Sequence, residues 1–338
     1  MRRIARLECA VLAYTWGSRS ALARLRGEPV PSPTPEAELW IGAHPSAPSQ
    51  VVTDGRRISL DELVAAEPEA VLGPSVAARF GPRLPLLAKL LAAGEPLSIQ
   101  AHPDARLARE GFERENARGI ALDAERRCYR DTHAKPELLC ALEPFEALCG
   151  LRAPEEIRAR AAQLGAPGAS GLVAAALAEP APLAALLAAL LRLPPERCAH
   201  LVAEAALAAA GSRDAGLAWI PRLHAFHPGD PGVLAPLFLH YVRLAPGEAI
   251  FLPAGNLHTY LHGTGVEVLA NSDNVLRGGL TPKHVDVPEL LRVLDFSFGD
   301  MRVSTGEPNG PRRVYRTAAP EFELSRIEWD DPELRGEV

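Results

Sequence analysis

The stretch at residues 97–104, LSIQAHPD, constrains the fold of this chain more than any other. Leu97, Ile99 and Ala101 alternate with Ser98, Gln100 and His102, the period of a strand with two unlike faces. One face is apolar; the other carries a hydroxyl, an amide and an imidazole. Turned into a closed barrel, those groups must find partners or cost about 1–3 kcal/mol each. A bound cation would satisfy Gln100 and His102 together. Pro103 cannot donate to a sheet ladder, so the strand is predicted to end just after His102, near a barrel mouth.

A second polar face lies far along the chain. LFLHYVRL, a Pro246-Gly247 turn, AIFLPA, a Gly255-Asn256 turn and LHTYLHG read as consecutive antiparallel strands with short connections. In the last, His258, Tyr260 and His262 face one way and Leu257, Thr259 and Leu261 the other. His262, next to Gly263, is the weaker ligand candidate. Glu267, Asn271, Ser272, Asp273, Asn274, Arg277 and the segment GGLTPKH with Lys283 follow. A polar cluster with two cations and two glycines after metal-ligand strands suggests an anionic group held near a metal. Between the two polar faces, Lys135 and Glu137 share a side if the chain is extended there, as Pro136 favours. Read alone, they make a surface ion pair worth at most about 1 kcal/mol. The apolar run 138–142 points instead to Glu137 opening a buried strand.

The rest of the chain surrounds these pieces. Residues 1–60 read as strand ends and corners of a β structure, with a hairpin at Asp54-Gly55; His44, beside a proline, reads as a rim residue more readily than a ligand. Residues 61–95 have helical spacing broken by Pro and Gly, and Ala105 to Arg118 reads as a short helix ended by Gly119. Residues 152–225 are dominated by Ala and Leu, with helix starts at Pro154 and Pro194-Pro195 and stops at Gly165 and Gly211; Cys198 and His200 there are packing and surface residues. Prolines interrupt the apolar stretch before it reaches a membrane span.

At 338 residues the chain exceeds the usual single-core limit, so more than one domain is expected. Interspersed charge, 36 basic against 42 acidic residues, supports neither nucleic-acid binding nor a membrane anchor. The five cysteines, Cys9, Cys128, Cys140, Cys149 and Cys198, form no CxxC pair and fit reduced thiols in a cytoplasmic protein. Arg2, Arg3 and Arg6 are followed by no export signal, so the N-terminus reads as unexported.

LSIQAHPD, KPELL, GEAIFLPAGNLHTYL and GVEVLANSDNVLRGGLTPKHVDVPELL together resemble the type I mannose-6-phosphate isomerases, metal-dependent cupins. The resemblance runs from Trp16-Gly17 to the C-terminus and is loosest over the helical residues. It implies a mainly β protein: a cupin (jelly-roll) barrel from residues 1–151 and 226–310, an inserted helical domain at 152–225, and at 311–338 the shortened start of a second cupin-like barrel. It implies one zinc held by Gln100, His102, Glu137 and His258. The reaction implied is aldose–ketose isomerisation of mannose 6-phosphate and fructose 6-phosphate through an enediol. Arg277, Glu267 and Asp273 fall on the family's active-site positions, and Lys89, Ser98, Lys135, Tyr260 and Lys283 on polar positions around the sugar phosphate. The expected partner is that small molecule alone, on a monomeric chain, with the C-terminal segment as the place where copies would associate. A metal-dependent cupin oxygenase and a non-catalytic sugar-phosphate or metal binder use the same barrel; Arg277 with Lys283 disfavours the first, and the intact carboxylates the second.

Two departures from the family pattern stand out. His133-Ala134 replaces the usual Asn-His before KPE, which predicts an altered loop. The family generally continues well past the strand at residues 321–327, completing the second barrel. A barrel lacking most of its strands leaves open edges and apolar surface, so either the sequence is a truncated product, the remnant packs on the first barrel, or a partner covers it.

Overall fold

The computed structural model describes residues 4–53 and 55–328; Arg2, Arg3, Asp54 of the expected hairpin and the end of the proposed second barrel lie outside them. Eleven strands form a barrel of two curved layers that share one long strand, His258–Ala270. The first half of this strand runs between Ile99–Ala101 and Phe145–Leu151, with His258 opposite Gln100 and Cys149. Its second half runs between Leu86–Ala93 and Glu137–Ala141, with Glu267 opposite Lys89 and Leu139. The strand therefore turns the corner of the jelly roll.

The corner has a local cause. The register shifts between Tyr260 and His262, and Gly263 follows at φ 128°. A Cβ on Gly263 would lie 2.7 Å from the Pro144 carbonyl oxygen, so only glycine fits this crossing. The shift reverses the alternation of faces. His262 is exposed, whereas Tyr260 and Glu267, an odd number of positions apart, both face inward and bond to each other at 2.9 Å. The expectation that His262 shares the face of His258 and Tyr260 is thereby corrected.

Two further expectations differ. Strands Leu239–Leu244 and Ala249–Leu252 do not pair with each other or with the long strand. The first joins Phe145–Leu151 and the second Glu137–Ala141, because in a jelly roll short turns carry the chain between layers. Residues 61–95 are helical only at Leu60–Ala66, Pro68–Leu72 and Pro74–Phe80. Leu86–Ala93 is a strand paired on both edges, and a continuous apolar run does not distinguish a doubly buried strand from a helix.

Side chains alternate between the lumen and the outer faces. In Glu137–Ala141, Leu139 and Ala141 join the barrel interior with Phe145, Val242, Ile250 and Tyr260. Leu138 and Cys140 point outward. One outer face is covered by helices Pro154–Leu164, Pro167–Ala176, Pro182–Leu191, Pro195–Ala208 and Trp219–Phe226, whose apolar residues form a single core with Ile99, Leu148, Leu261 and Leu276. Pro154, Pro195 and the left-handed Gly165 set helix boundaries where the sequence predicts them; Pro167 and Pro182 open two further helices, and the helix from Pro195 ends at Ala208, short of Gly211. The other outer face is covered by the small sheet Glu307–Asn309, Arg312–Tyr315 and Leu324–Ile327, so among the described residues the C-terminal segment packs on the first barrel. Tyr315 and Phe322 lie on Leu138, Cys140, Ala249 and Val268, and the Tyr315 hydroxyl donates to the Gly247 carbonyl at 2.6 Å.

Tyr315 is 1% exposed and anchors that sheet. Tyr315→Ala is expected to lower unfolding free energy by about 3–5 kcal/mol in urea denaturation; a cost below about 1 kcal/mol would mean that the segment does not dock there.

Candidate active site

The lumen opens at one end into a cavity of about 700 Å³. Three elements bring His102, Glu137 and His258 to its floor, with ligand atoms all within 4.8 Å of one another. His102 follows the strand Ile99–Ala101, Glu137 opens Glu137–Ala141 and His258 opens the long strand. Each Nε2 lies 3.3 Å from a Glu137 carboxylate oxygen. The ring Nδ1 atoms face backbone carbonyls, His102 that of Asn274 at 2.6 Å and His258 that of Asn256 at 3.0 Å. A carbonyl can only accept, so both Nδ1 atoms donate and both Nε2 lone pairs point at the carboxylate.

Such an arrangement repels itself unless a cation lies between. His102 Nε2, His258 Nε2 and Glu137 Oε2 are buried without a hydrogen-bond partner. Orphaned acceptors of this kind are costly, and two imidazoles with a carboxylate are a donor set that suits a divalent metal such as zinc. Gln100 lies opposite His258 in the ladder and lines the same cavity. Burial, reinforced by the Lys135 ammonium 3.4 Å from Glu137, pushes the His102 imidazolium down to about 4. Burial works against ionising Glu137, yet the Lys135 ammonium beside it holds its carboxyl well below the usual range.

One wall is a buried ionic chain across three strands. Lys89 Nζ lies 3.0 Å from Glu267 and 3.4 Å from Glu38, Trp40 Nε1 donates to Glu38 at 2.7 Å, and the Tyr260 hydroxyl donates to Glu267 at 2.9 Å. Burial alone would discharge Lys89; Glu267 and Glu38 overcome it and raise the ammonium above its ordinary value. Burial raises Glu267, opposed by Lys89, and both carboxylate oxygens of Glu267 already accept hydrogen bonds.

A second wall is the loop after the long strand. Asp131 accepts from Ser272 Oγ and from the Asp273 amide, each at 2.9 Å, and Asn274 accepts from the Arg130 amide at 2.7 Å. His133, in the segment that departs from the family pattern, is tied to this network through its carbonyl, which accepts from Asn274 at 2.9 Å. Asp273 is 44% exposed and lines the cavity. Nearer the mouth, Arg277, Lys283 and Arg130 face one another, with no ion pair among the described residues. Burial, and then Arg277 and Arg130, lower Lys283. Three mutually repelling cations beside a cavity are a receptor for a multiply charged anion. Ser98 completes this side.

The structure thus gathers the whole expected set, Lys89, Ser98, Gln100, His102, Lys135, Glu137, His258, Tyr260, Glu267, Asp273, Arg277 and Lys283, around one cavity or its floor. Sequence reasoning passed over Glu38, Trp40, Arg130 and Asp131. The first two could have been found by their alternation with apolar Leu39 and Ile41; Arg130 and Asp131 carry no local signal.

The comparisons with known proteins agree with one another. The family model for the catalytic domain of type I phosphomannose isomerase matches residues 4–154. Mannose-6-phosphate isomerases from Salmonella typhimurium and Escherichia coli are 44% identical over 292 residues, covering 85% of this chain and 73% of each relative. The human one is 33% identical over 359 residues, covering 96% of this chain and 82% of its own. A zinc-bound mannose 6-phosphate isomerase structure superposes with a TM-score of 0.87 at 39% identity, covering 95% of this chain and 82% of that one. The Salmonella typhimurium enzyme bound to its substrate fructose 6-phosphate and zinc gives 0.86, with the same identity and coverage.

Zinc-free protein should lose stability on mild acidification. The folded His102 takes its proton near pH 4, the unfolded one near 6.5, so between those values the unfolded chain binds the extra proton. Denaturant unfolding of chelated protein is expected to show about 3 kcal/mol lost across that window, with Glu137 adding to the loss at lower pH; a flat profile would contradict the buried ring.

Proposed function

Because the chain belongs to the type I mannose-6-phosphate isomerases, we propose that it interconverts mannose 6-phosphate and fructose 6-phosphate with one zinc at its barrel floor. The observation that carries this is the set of three orphaned ligand atoms, on His102, Glu137 and His258, beside a cavity with a cationic mouth. Gln100, His102, Glu137 and His258 hold the metal. When bound, zinc supplies Lewis acidity toward the sugar oxygens.

The chain's own residues do the rest. Arg277 and Lys283, with Arg130 and Ser98, bind the phosphate, which fixes the reacting carbons toward the floor. In the aldose-to-ketose direction a proton leaves C2 to a base, its electron pair becomes the C1–C2 double bond, and O1 gains a proton. The proton then returns to C1 as O2 gives up its own, leaving the ketose. Asp273 is the base, since Glu267 is engaged at both oxygens and Glu137 faces the imidazoles. Lys89, Lys135 and Tyr260 surround the developing enediolate with donors. The helical residues 152–225 form an insert that covers one outer face of the barrel, and Phe226 and His227, directly after it, line the cavity. The chain acts on this small molecule in the cytoplasm as a monomer, without nucleic acid or membrane; no described helix is long and apolar enough to cross a membrane.

Purified protein is expected to convert mannose 6-phosphate to fructose 6-phosphate, to lose that turnover on chelation and to regain it with zinc, with His258→Ala inactive and metal-poor. A folded, zinc-loaded protein without turnover would refute the catalytic reading and leave a metal-binding descendant. Asp273→Asn is expected to retain zinc and lower kcat by about 10²–10⁴-fold; unchanged kcat would move the base to another residue.

A further inference from the structure

We infer that His44 is the positioning residue for Asp273, holding its carboxylate in the orientation that proton transfer needs. The inference rests on the isomerase reading above and adds a residue to it.

His44 follows the strand Glu38–Gly42 and is 3% exposed. Its ring meets Trp40 edge to face, with centroids 4.7 Å apart, which fixes the ring plane. Its Nδ1 accepts from the Ser46 amide at 3.2 Å, so the ring proton sits on Nε2. That atom lies 3.3 Å from Asp273 Oδ1. A buried imidazole clamped on one side by a backbone amide and on another by an indole thus presents one N–H to a carboxylate that is itself half exposed in the cavity.

Asp273 is gripped twice, its amide by Asp131 and its Oδ1 by His44, which leaves Oδ2 for the substrate. Among the described residues that line the cavity, Asp273 combines a side-chain anchor with a free, solvent-reachable oxygen, whereas Glu95 is exposed. Glu38, Glu137 and Glu267 are buried and engaged. The groups acting on Asp273 are His44, Lys135 and Arg130; the Tyr14 hydroxyl and the Asp131 carboxylate also face it. Burial raises its carboxyl, and the His44 hydrogen bond is the first of the opposing influences that bring it below its ordinary value. The Trp40 that orients His44 also donates to Glu38, so one indole braces both walls of the cavity.

The test compares wild type with His44→Leu, which keeps volume against Trp40 without a donor, and His44→Gln, whose amide nitrogen can take the place of Nε2. Zinc content and Tm are measured beside the kinetics on mannose 6-phosphate. The expected result for His44→Leu is kcat lower by about tenfold with KM nearly unchanged. The acid limb of its kcat/KM profile moves up by about one pH unit, and His44→Gln recovers most of both. If His44→Leu does not fold, His44→Asn, too short to reach Asp273, replaces it. Full zinc and wild-type Tm with an unmoved acid limb would overturn the inference, as would His44→Gln behaving like His44→Leu. Absence of turnover in the wild type would instead overturn the isomerase reading.

Discussion

The structure depends on a charge imbalance sealed inside the barrel. Glu38, Glu137 and Glu267 are all less than a tenth exposed; among the described residues Lys89 and Lys135 are buried with them, while the buried Arg127 that also lines the cavity is matched by Glu115 at 3.1 Å. Three carboxylates against two ammonium groups leave the lumen one negative charge in excess, a state that low-dielectric surroundings penalise heavily. A divalent cation beside Glu137 inverts the sign. The interior then carries one positive charge in excess, and an oxyanion forming on a sugar is the species that neutralises it. Stability and chemistry thus draw on the same deficit: the residues that make the metal-free barrel uncomfortable are those that make the loaded one receptive.

The long strand is what brings these charges together. Among the described residues it is the strand that hydrogen-bonds to both layers of the jelly roll, and its register shift after Tyr260 puts His258 and Glu267 into one lumen despite their odd spacing. The two covers outside, helices on one layer and the small sheet around Tyr315 on the other, let both faces of these strands be apolar apart from the site.

How much of this could be read in the chain follows from how local each signal is. Gln100, His102 and His258 are legible because period-2 alternation within a few residues sets them apart from apolar neighbours. Arg277 and Lys283 at the cavity are legible as a cluster beside glycines. Glu137 needed its family context, since two residues of Lys135-Pro136-Glu137 look the same on any surface. The wall of Glu38, Lys89 and Glu267 is invisible locally, as it exists only through cross-strand register between residues far apart in sequence. Leu86–Ala93 was read as helical because a strand buried on both faces has no alternation to show. The fate of His262 turned on a bulge, which one extra residue creates without any change in composition.

The hydrogen bonding of the long strand has a consequence for motion. With neighbours on both edges along nearly all of its length, it belongs to the last part of the molecule to open, so its amides should report global unfolding in hydrogen exchange. Asp273 lies three residues beyond its end, where the ladder gives way to a loop held largely by side chains. His258 therefore belongs to the slowest-breathing region of the protein, and Asp273 stands at its border, held there by Asp131 and His44.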